Sequence, residues 1–207
     1  MPPVQNQDTT GTCWAHVLAA MAAGTNCDGT MFSEKAIACG RNPPVDLTDG
    51  NPNNDGATMG QINQELSDLS SCATTTLVDE SCGGANPSGA CTDISGCTKY
   101  RITGTTNVAT DPSAMAAALQ NGPIQFLMNW DSANWNSDGT WAGGSGGMSG
   151  GHAVVITGYD PATDTFTIQN SWGTGAGDNG MYHLPASQVT NVGYAGGVSQ
   201  INGVVQC

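Results

Sequence analysis

Four residues along this chain have the types and the order needed to make and break an acyl bond: Gln7, Cys13, His152 and Asn170. Cys13 opens an Ala-rich stretch, Cys13-Trp14-Ala-His-Val-Leu-Ala-Ala-Met-Ala-Ala, that reads as a helix. A thiol at a helix N-terminus feels the positive end of the dipole and the unpaired N–H groups there, and both favour the thiolate, the nucleophilic form. A cysteine taken alone is more often buried or disulfide-bonded, so the neighbours decide. Gln7 stands across a loop containing Gly11, and its amide can fold back to join the Cys13 backbone N–H in a two-donor oxyanion hole. His152 opens the apolar run Gly150-Gly151-His152-Ala-Val-Val-Ile-Thr-Gly-Tyr159, and the two glycines before it let a substrate approach. An imidazole titrates near neutrality and so can serve a thiol as base or ion-pair partner. In Ile168-Gln-Asn170-Ser-Trp172-Gly, Asn170 can accept from the imidazole N–H and fix its tautomer without adding charge, while Trp172 excludes water from that bond. Of the other histidines, His16 lies one turn past Cys13 and is expected to face the core, and His183 is a weaker candidate. Cys13 with His16 is too few ligands for a metal site, so no metal is expected.

Composition narrows the classes. The chain has 207 residues, 38% of them hydrophobic, enough for one domain or two small packed lobes. With 29 Gly and 10 Pro against 6% aromatic residues, many turns and loops are expected. Four Lys+Arg against seventeen Asp+Glu give a formal charge of -13, which would repel nucleic acid and an anionic membrane surface. Only 10% of residues are charged, so the acidity reflects scarce cations rather than a halophile-like coat. No apolar run approaches the roughly 20 residues of a membrane helix. Met1-Pro-Pro-Val-Gln5 has no signal-peptide pattern and reads as the start of a mature domain carrying an added initiator Met. No Asn-x-Ser/Thr sequon is present.

Eight cysteines stand at 13, 27, 39, 72, 82, 91, 97 and 207. An even set suggests disulfides and an oxidising compartment. If Cys13 is the nucleophile, the remainder is odd, and the simplest account is three bridges and one leftover thiol of unassigned identity. Zinc is the competing reading of 82–97, but the spacing does not repeat CxxC.

The elements that must position these residues follow from local pattern. After the Cys13 helix, with Thr12 or Thr10 capping it and Gly24 ending it, a second helix runs Phe32–Cys39 behind Ser33. Residues 40–58 read as loop, Gln61–Ser70 as a third helix, and 72–98 as a cysteine-stapled loop. Tyr100 begins strand-like sequence. Pro112–Leu119 is a helix with Asp111 as N-cap and Pro at N1. Pro123–Trp130 is a strand, and 131–151 is glycine-rich loop. Ala153–Gly158, Thr165–Gln169 and Met181–Leu184 are further strands. A helical, cysteine-rich half thus precedes a β half, with a boundary near 100–110.

These residues together resemble the papain-like cysteine peptidases. That family's His and Asn lie roughly 130–150 residues beyond its nucleophile; His152 falls inside that span and Asn170 slightly past it. Pro3-Val-Gln-Asn-Gln7 is similar to the family's N-terminal segment, and Ser33-Glu34 through Cys39 to its second helix. Gly122-Pro-Ile124 is similar to the start of its right-lobe strands, and Asn170-Ser-Trp-Gly-Thr174 through Gly177-Asp-Asn-Gly180 to its Asn loop. The resemblance covers nearly the whole chain. It departs at Thr10, where the family has a Cys, at His16, where it has an aromatic residue, and at Ala176, where a second Trp is expected. No cysteine lies between 97 and 207, so the right-lobe bridge cannot form; Cys207 must pair with the left lobe or another chain, or stay reduced.

The resemblance implies an α+β papain-like two-lobe fold in a single domain over 1–207. The helical left lobe would span about 8–105, and the β-barrel-like right lobe about 106–207 plus the N-terminal residues. An active-site cleft would lie between them. It implies a cysteine endopeptidase, a thiol protease working through Cys13, His152 and Asn170 by way of a thioester, with Gln7 in the oxyanion hole and Trp172 and Trp14 in support. Gly56, in Asn54-Asp-Gly56, resembles the glycine segment that pairs with substrate backbone. Gly150 would border a pocket open to a bulky apolar residue two positions before the cut, and Gly151 would be a further substrate-binding position. No cofactor is implied. The partners implied are peptide or protein substrates, together with a removed propeptide or a protein inhibitor; neither nucleic acid nor membrane is expected, and the chain is expected to be a monomer. Such a protein would be secreted or reside in a lysosome- or vacuole-like compartment. The rival readings are a catalytically impaired papain-like binding protein, an acyl transferase or isopeptidase using the same three residues, and a disulfide-rich structural module with Cys13 in a bridge.

Overall fold

A helix that is apolar on every side is buried on every side. In this computed structural model, which describes residues 1–85, 87–144 and 150–207, the Cys13 helix is that case. Of the stretches expected as loop, 131–151 and 72–98 therefore lie outside the described residues at 145–149 and 86. The helices are α1 (Cys13–Asn26), α2 (Glu34–Gly40), α3 (Pro52–Asp55), α4 (Met59–Asp68), α5 (Glu80–Gly83), α6 (Pro112–Ala118) and α7 (Val189–Val192). The strands are β1 (Tyr100–Ile102), β2 (Thr105–Asn107), β3 (Ile124–Trp130), β4 (Gly150–Asp160), β5 (Thr165–Gln169), β6 (Met181–Pro185), β7 (Gly193–Ile201) and β8 (Val204–Gln206). The chain divides into two compact units, Met1–Pro2, Asn6–Thr105 and Ile201–Cys207 in the first, and Pro3–Gln5 and Thr106–Gln200 in the second.

In the first unit, α1 buries Trp14 through Ala19 and Met21 through Ala23. It runs past Gly24, where a stop was expected. The left-handed turn falls instead on Cys27, whose N–H returns to Ala23 O. Ser33 caps α2 by accepting the Ala36 N–H at 3.0 Å. The stretch 40–58 is not all loop: Asn51 accepts the Asn53 N–H, Pro52 pre-sets the helical φ, and one turn forms as α3. A capping box between Thr58 and Gln61 starts α4 two residues before the expected position. Three disulfides, Cys39–Cys91, Cys72–Cys207 and Cys82–Cys97, staple this unit. The C-terminal strand β8 pairs antiparallel with β1, Ile102 opposite Val204, which brings Cys207 back to the first unit.

The second unit is built on a six-stranded sheet in the order β2-β7-β3-β4-β5-β6. It is an open array, antiparallel from β7 through β6, and no strand pairing closes it into the expected barrel among its described residues; the α+β class holds. Alternation sorts its side chains. Ile124, Phe126, Met128 and Trp130 of β3, Val154 and Ile156 of β4, Phe166 and Ile168 of β5, and Tyr182 and Leu184 of β6 form one buried cluster, capped by Met115 of α6 and by Val189 and Val192 of α7. Burying so many large side chains, each worth about 1.5–3 kcal/mol, lets this unit hold together without a crosslink. Asp111 caps α6 through Ser113 and Ala114.

Candidate active site

In the first unit, Cys13 is the first residue of α1, half-buried and outside the disulfides. Thr12, the N-cap, makes no side-chain cap; its carbonyl accepts from Ala15 at 2.9 Å and His16 at 3.2 Å. Neither end of α1 carries a compensating charge, so the dipole acts on Cys13 undiminished. Gln7 is buried, and its side-chain amide donates to Thr10 O at 2.7 Å, folding back over the loop that leads to Cys13. Thr10, at the expected cysteine, is also buried; its hydroxyl donates to Gln7 O at 2.7 Å and lies 2.7 Å from the Thr12 hydroxyl. Hydrogen bonds therefore stiffen this loop where no bridge does. Trp14 is buried and donates its indole N–H to Asp55 O at 2.9 Å. Gly56 follows α3 in an extended conformation, exposed to solvent.

His16 faces the core of the first unit as expected. Its Nδ1 donates to Thr12 O at 3.0 Å, and Nε2 stands 3.7 Å from Glu34 Oε1. Burial pushes Glu34 up to about 8, so it is mostly a neutral acid at pH 7. Among the described residues, no group of three or more His, Cys, Asp or Glu has metal-site geometry.

In the second unit, His152 extends the core-facing series 152, 154, 156 of β4, and Asn170 follows Phe166 and Ile168 on the neighbouring strand's core side. Alternation thus brings imidazole and amide together at one end of the sheet: His152 Nε2 donates to Asn170 Oδ1 at 2.8 Å. The same oxygen accepts the Ser171 N–H at 2.8 Å, which pins the amide orientation. Trp172 stacks on the imidazole at 4.8 Å and 23°. His152 is 8% exposed; burial pushes it down to about 4, and the Asn170 hydrogen bond offsets part of that shift. Gly150 and Gly151 begin β4, paired with Trp130 and Asn129 of β3. A Cβ on Gly150 would meet open space, whereas one on Gly151 would sit 3.3 Å from the Tyr194 hydroxyl. His183 bonds Asp178 at 3.4 Å, on the exposed side of β6.

One residue here escaped the motif reading. Trp130 packs edge-on against His152 at 5.3 Å, against Trp172 at 4.9 Å and against Tyr182 at 5.0 Å, and stacks on Trp135 at 4.8 Å. Together with Trp172 it walls the imidazole from a strand far from the Asn loop, although Ala176 lacks the expected ring. Its signal was the period-two series 124, 126, 128, 130 leading to the end of β3.

Each half has chemistry of its own: a thiol at a helix start with an amide folded toward its loop, and a tautomer-locked imidazole under indoles. A sequence model described as papain family cysteine protease matches residues 1–200. Gamete and mating-type specific protein A of Dictyostelium discoideum is 27% identical over 195 residues, 89% of this chain and 40% of that protein. The cathepsin B-like protein CP3 of Giardia intestinalis is 27% identical over 197 residues, 89% of this chain and 64% of that one. The chain thus spans less than two thirds of the length of either relative. Among solved structures, the Carica candamarcensis cysteine protease CMS1MS2, in complex with E-64, superposes with a TM-score of 0.73 at 20% identity, covering 100% of this chain and 92% of that one. The chain belongs to the papain family of cysteine proteases.

Proposed function

We propose that this chain is a cysteine endopeptidase in which Cys13, His152 and Asn170 act together across a cleft between its two lobes, as one peptidase domain. The observation that carries the reading is the buried His152–Asn170 hydrogen bond of 2.8 Å beneath Trp172, taken with membership in the family. With Nε2 given to Asn170, Nδ1 is the nitrogen that serves the thiol. The thiolate attacks the peptide carbonyl, and Gln7 and the Cys13 N–H hold the oxyanion. His152 gives its proton to the leaving amine as the C–N bond breaks. Water, deprotonated by the same ring, then cleaves the thioester to free acid and thiol. Peptide backbone lies along Gly56, and the open space at Gly150 takes a bulky apolar side chain. Three disulfides suit a secreted or lysosome-like setting; a propeptide or protein inhibitor would occupy the same cleft.

A second reading, a catalytically impaired binding protein, is favoured by one observation: burial holds His152 near 4, against the imidazolium an ion pair needs. A facing thiolate reverses that preference. An irreversible epoxide thiol inhibitor followed by peptide mapping decides between the readings. Stoichiometric, fold-dependent labelling of Cys13, with exposed Cys27 as internal control, supports the peptidase. Equal labelling of both thiols, or full peptide hydrolysis by a Cys13→Ala variant, rules it out.

A further inference from the structure

Arg41 is a cation with only 6% of its surface exposed, and burying a cation is costly unless its N–H groups are used. They are used mostly on one turn of backbone, 54–56, and once on Pro43. Nη1 donates to Gly56 O and lies 3.5 Å from Asp55 O. Nη2 lies 3.5 Å from Asn54 O, and Nε donates to Pro43 O at 3.2 Å. The guanidinium also sits over the Trp14 ring at 5.5 Å. Asp55, 2% exposed, works from the other side. Its Oδ2 accepts the Gly11 N–H at 3.2 Å, and its carbonyl accepts the Trp14 indole N–H at 2.9 Å. The two backbones are in close approach: a Cβ on Gly11 would collide with the Pro52 carbonyl oxygen and lie 3.2 Å from Asp55 Cβ. None of the three disulfides ends in the loop 7–12 or in 51–56, so these contacts do what a crosslink would otherwise do.

We propose that Arg41 and Asp55 are positioning residues, a buried clamp that holds the Asn54–Gly56 backbone in register with the loop and helix start carrying Cys13, ready to pair with an extended peptide. The inference rests on the peptidase reading above. A planar fork of five donors can address successive carbonyls where the single ammonium of a lysine cannot. Gly56 leaves the clamp extended and exposed, with nothing within 4 Å of where its Cβ would be, which suits backbone pairing with a ligand strand.

The test uses the full chain with Arg41→Gln, Arg41→Lys, Asp55→Asn and Gly11→Ala. Three readouts are compared: KM and kcat on an extended peptide, the rate of Cys13 alkylation by iodoacetamide, and amide exchange at Gly11 and along α1. Arg41→Gln and Asp55→Asn are expected to raise KM on the order of tenfold to a hundredfold, the scale of an ångström of misplacement, with iodoacetamide alkylation unchanged. Asp55→Asn should speed exchange at Gly11 and leave the centre of α1 protected. Arg41→Lys should fall between Arg41→Gln and wild type, and Gly11→Ala should reproduce the KM loss by pushing the segments apart. If Arg41→Gln does not fold, Arg41→Lys and Gly11→Ala carry the comparison. Unchanged KM in all variants of an active protein, or alkylation slowing by the same factor as KM rises, would overturn the clamp alone. A wild-type protein that hydrolyses no peptide would overturn the peptidase reading itself.

Discussion

The unit that carries Cys13 is held by three disulfides and buries the ionisable side chains Glu34, Arg41, Asp55 and Glu65. The unit that carries His152 has no disulfide and no buried Asp, Glu, Lys or Arg among its described residues; long strand ladders and an indole-rich core hold it instead. The contrast follows from element length. Helices α2, α3 and α5 are too short to bury much apolar area, so the first unit adds crosslinks and the hydrogen bonds of Arg41 and Asp55 to the core built on α1. Strands β3 and β4 pair continuously from Ile124 opposite Ile156 to Trp130 opposite Gly150, so ordinary packing suffices. Redox state and alkali should therefore act on the Cys13 side, and apolar truncation and acid on the His152 side.

The largest effect expected concerns chemistry. His152→Ala should cut peptide hydrolysis by on the order of 10⁴-fold or more while the fold is kept, with stability lower by only about 1–3 kcal/mol from the lost Asn170 hydrogen bond; an equal loss of activity from His183→Ala would break the assignment. Next, Trp130→Ala should cost about 3–5 kcal/mol. Hydrogen exchange should accelerate in β3, β4 and β5, and kcat should fall as water reaches His152. Stability loss confined to α1 would contradict the contrast. Replacing Cys72 and Cys207 by Ser should cost about 2–4 kcal/mol, with exchange rising in β1 and β8 and not in β3.

A smaller, opposite-signed pair of effects comes from pH. Glu34 is raised from 4.5 to about 8, so its stabilising contribution is complete below 4.5 and is lost as pH climbs through 8. His152 is lowered from 6.5 to about 4, so its contribution is present above 6.5 and is lost as pH falls through 4. Melting curves across pH should show Glu34→Gln flattening the alkaline limb and His152→Gln the acid limb; the reverse pairing would invert the comparison. Smallest of all, Cys27→Ser, at an exposed thiol whose S–H reaches Gly24 O at 2.9 Å, should change stability by no more than about 0.5 kcal/mol.

Much of the fold was legible because it is local. The Ser33 cap of α2, the Asp111–Pro112 start of α6 and the alternation of β3, β5 and β6 each lie within a few residues of what causes them. Gly24 misled because a glycine only lowers helix propensity by about 1 kcal/mol, and packing of α1 outweighs that. The turn α3 was missed because Asn51 and Pro52 read equally well as loop. Strand β7 carries small residues such as Gly196 and Gly197, and β8 is only three residues long, so both take their conformation from the strands they pair with. Trp130 had no motif to announce it, since its meaning depends on which strand ends beside His152.

The sequence by itself determined the family, the thiol at a helix start, His152 at the head of an apolar strand with Asn170 in the Asn-Ser-Trp-Gly segment, and an odd set of cysteines once Cys13 is set aside. Only the tertiary structure decided that Cys27 is the leftover, that Cys207 joins Cys72, that Arg41 and Asp55 brace Gly11 and Trp14, and that Trp130 walls the imidazole. The reason is range: caps, dipoles and alternation act over a turn or a pleat, whereas a disulfide, a buried guanidinium or an edge-on indole finds its partner only where distant segments have already been brought side by side.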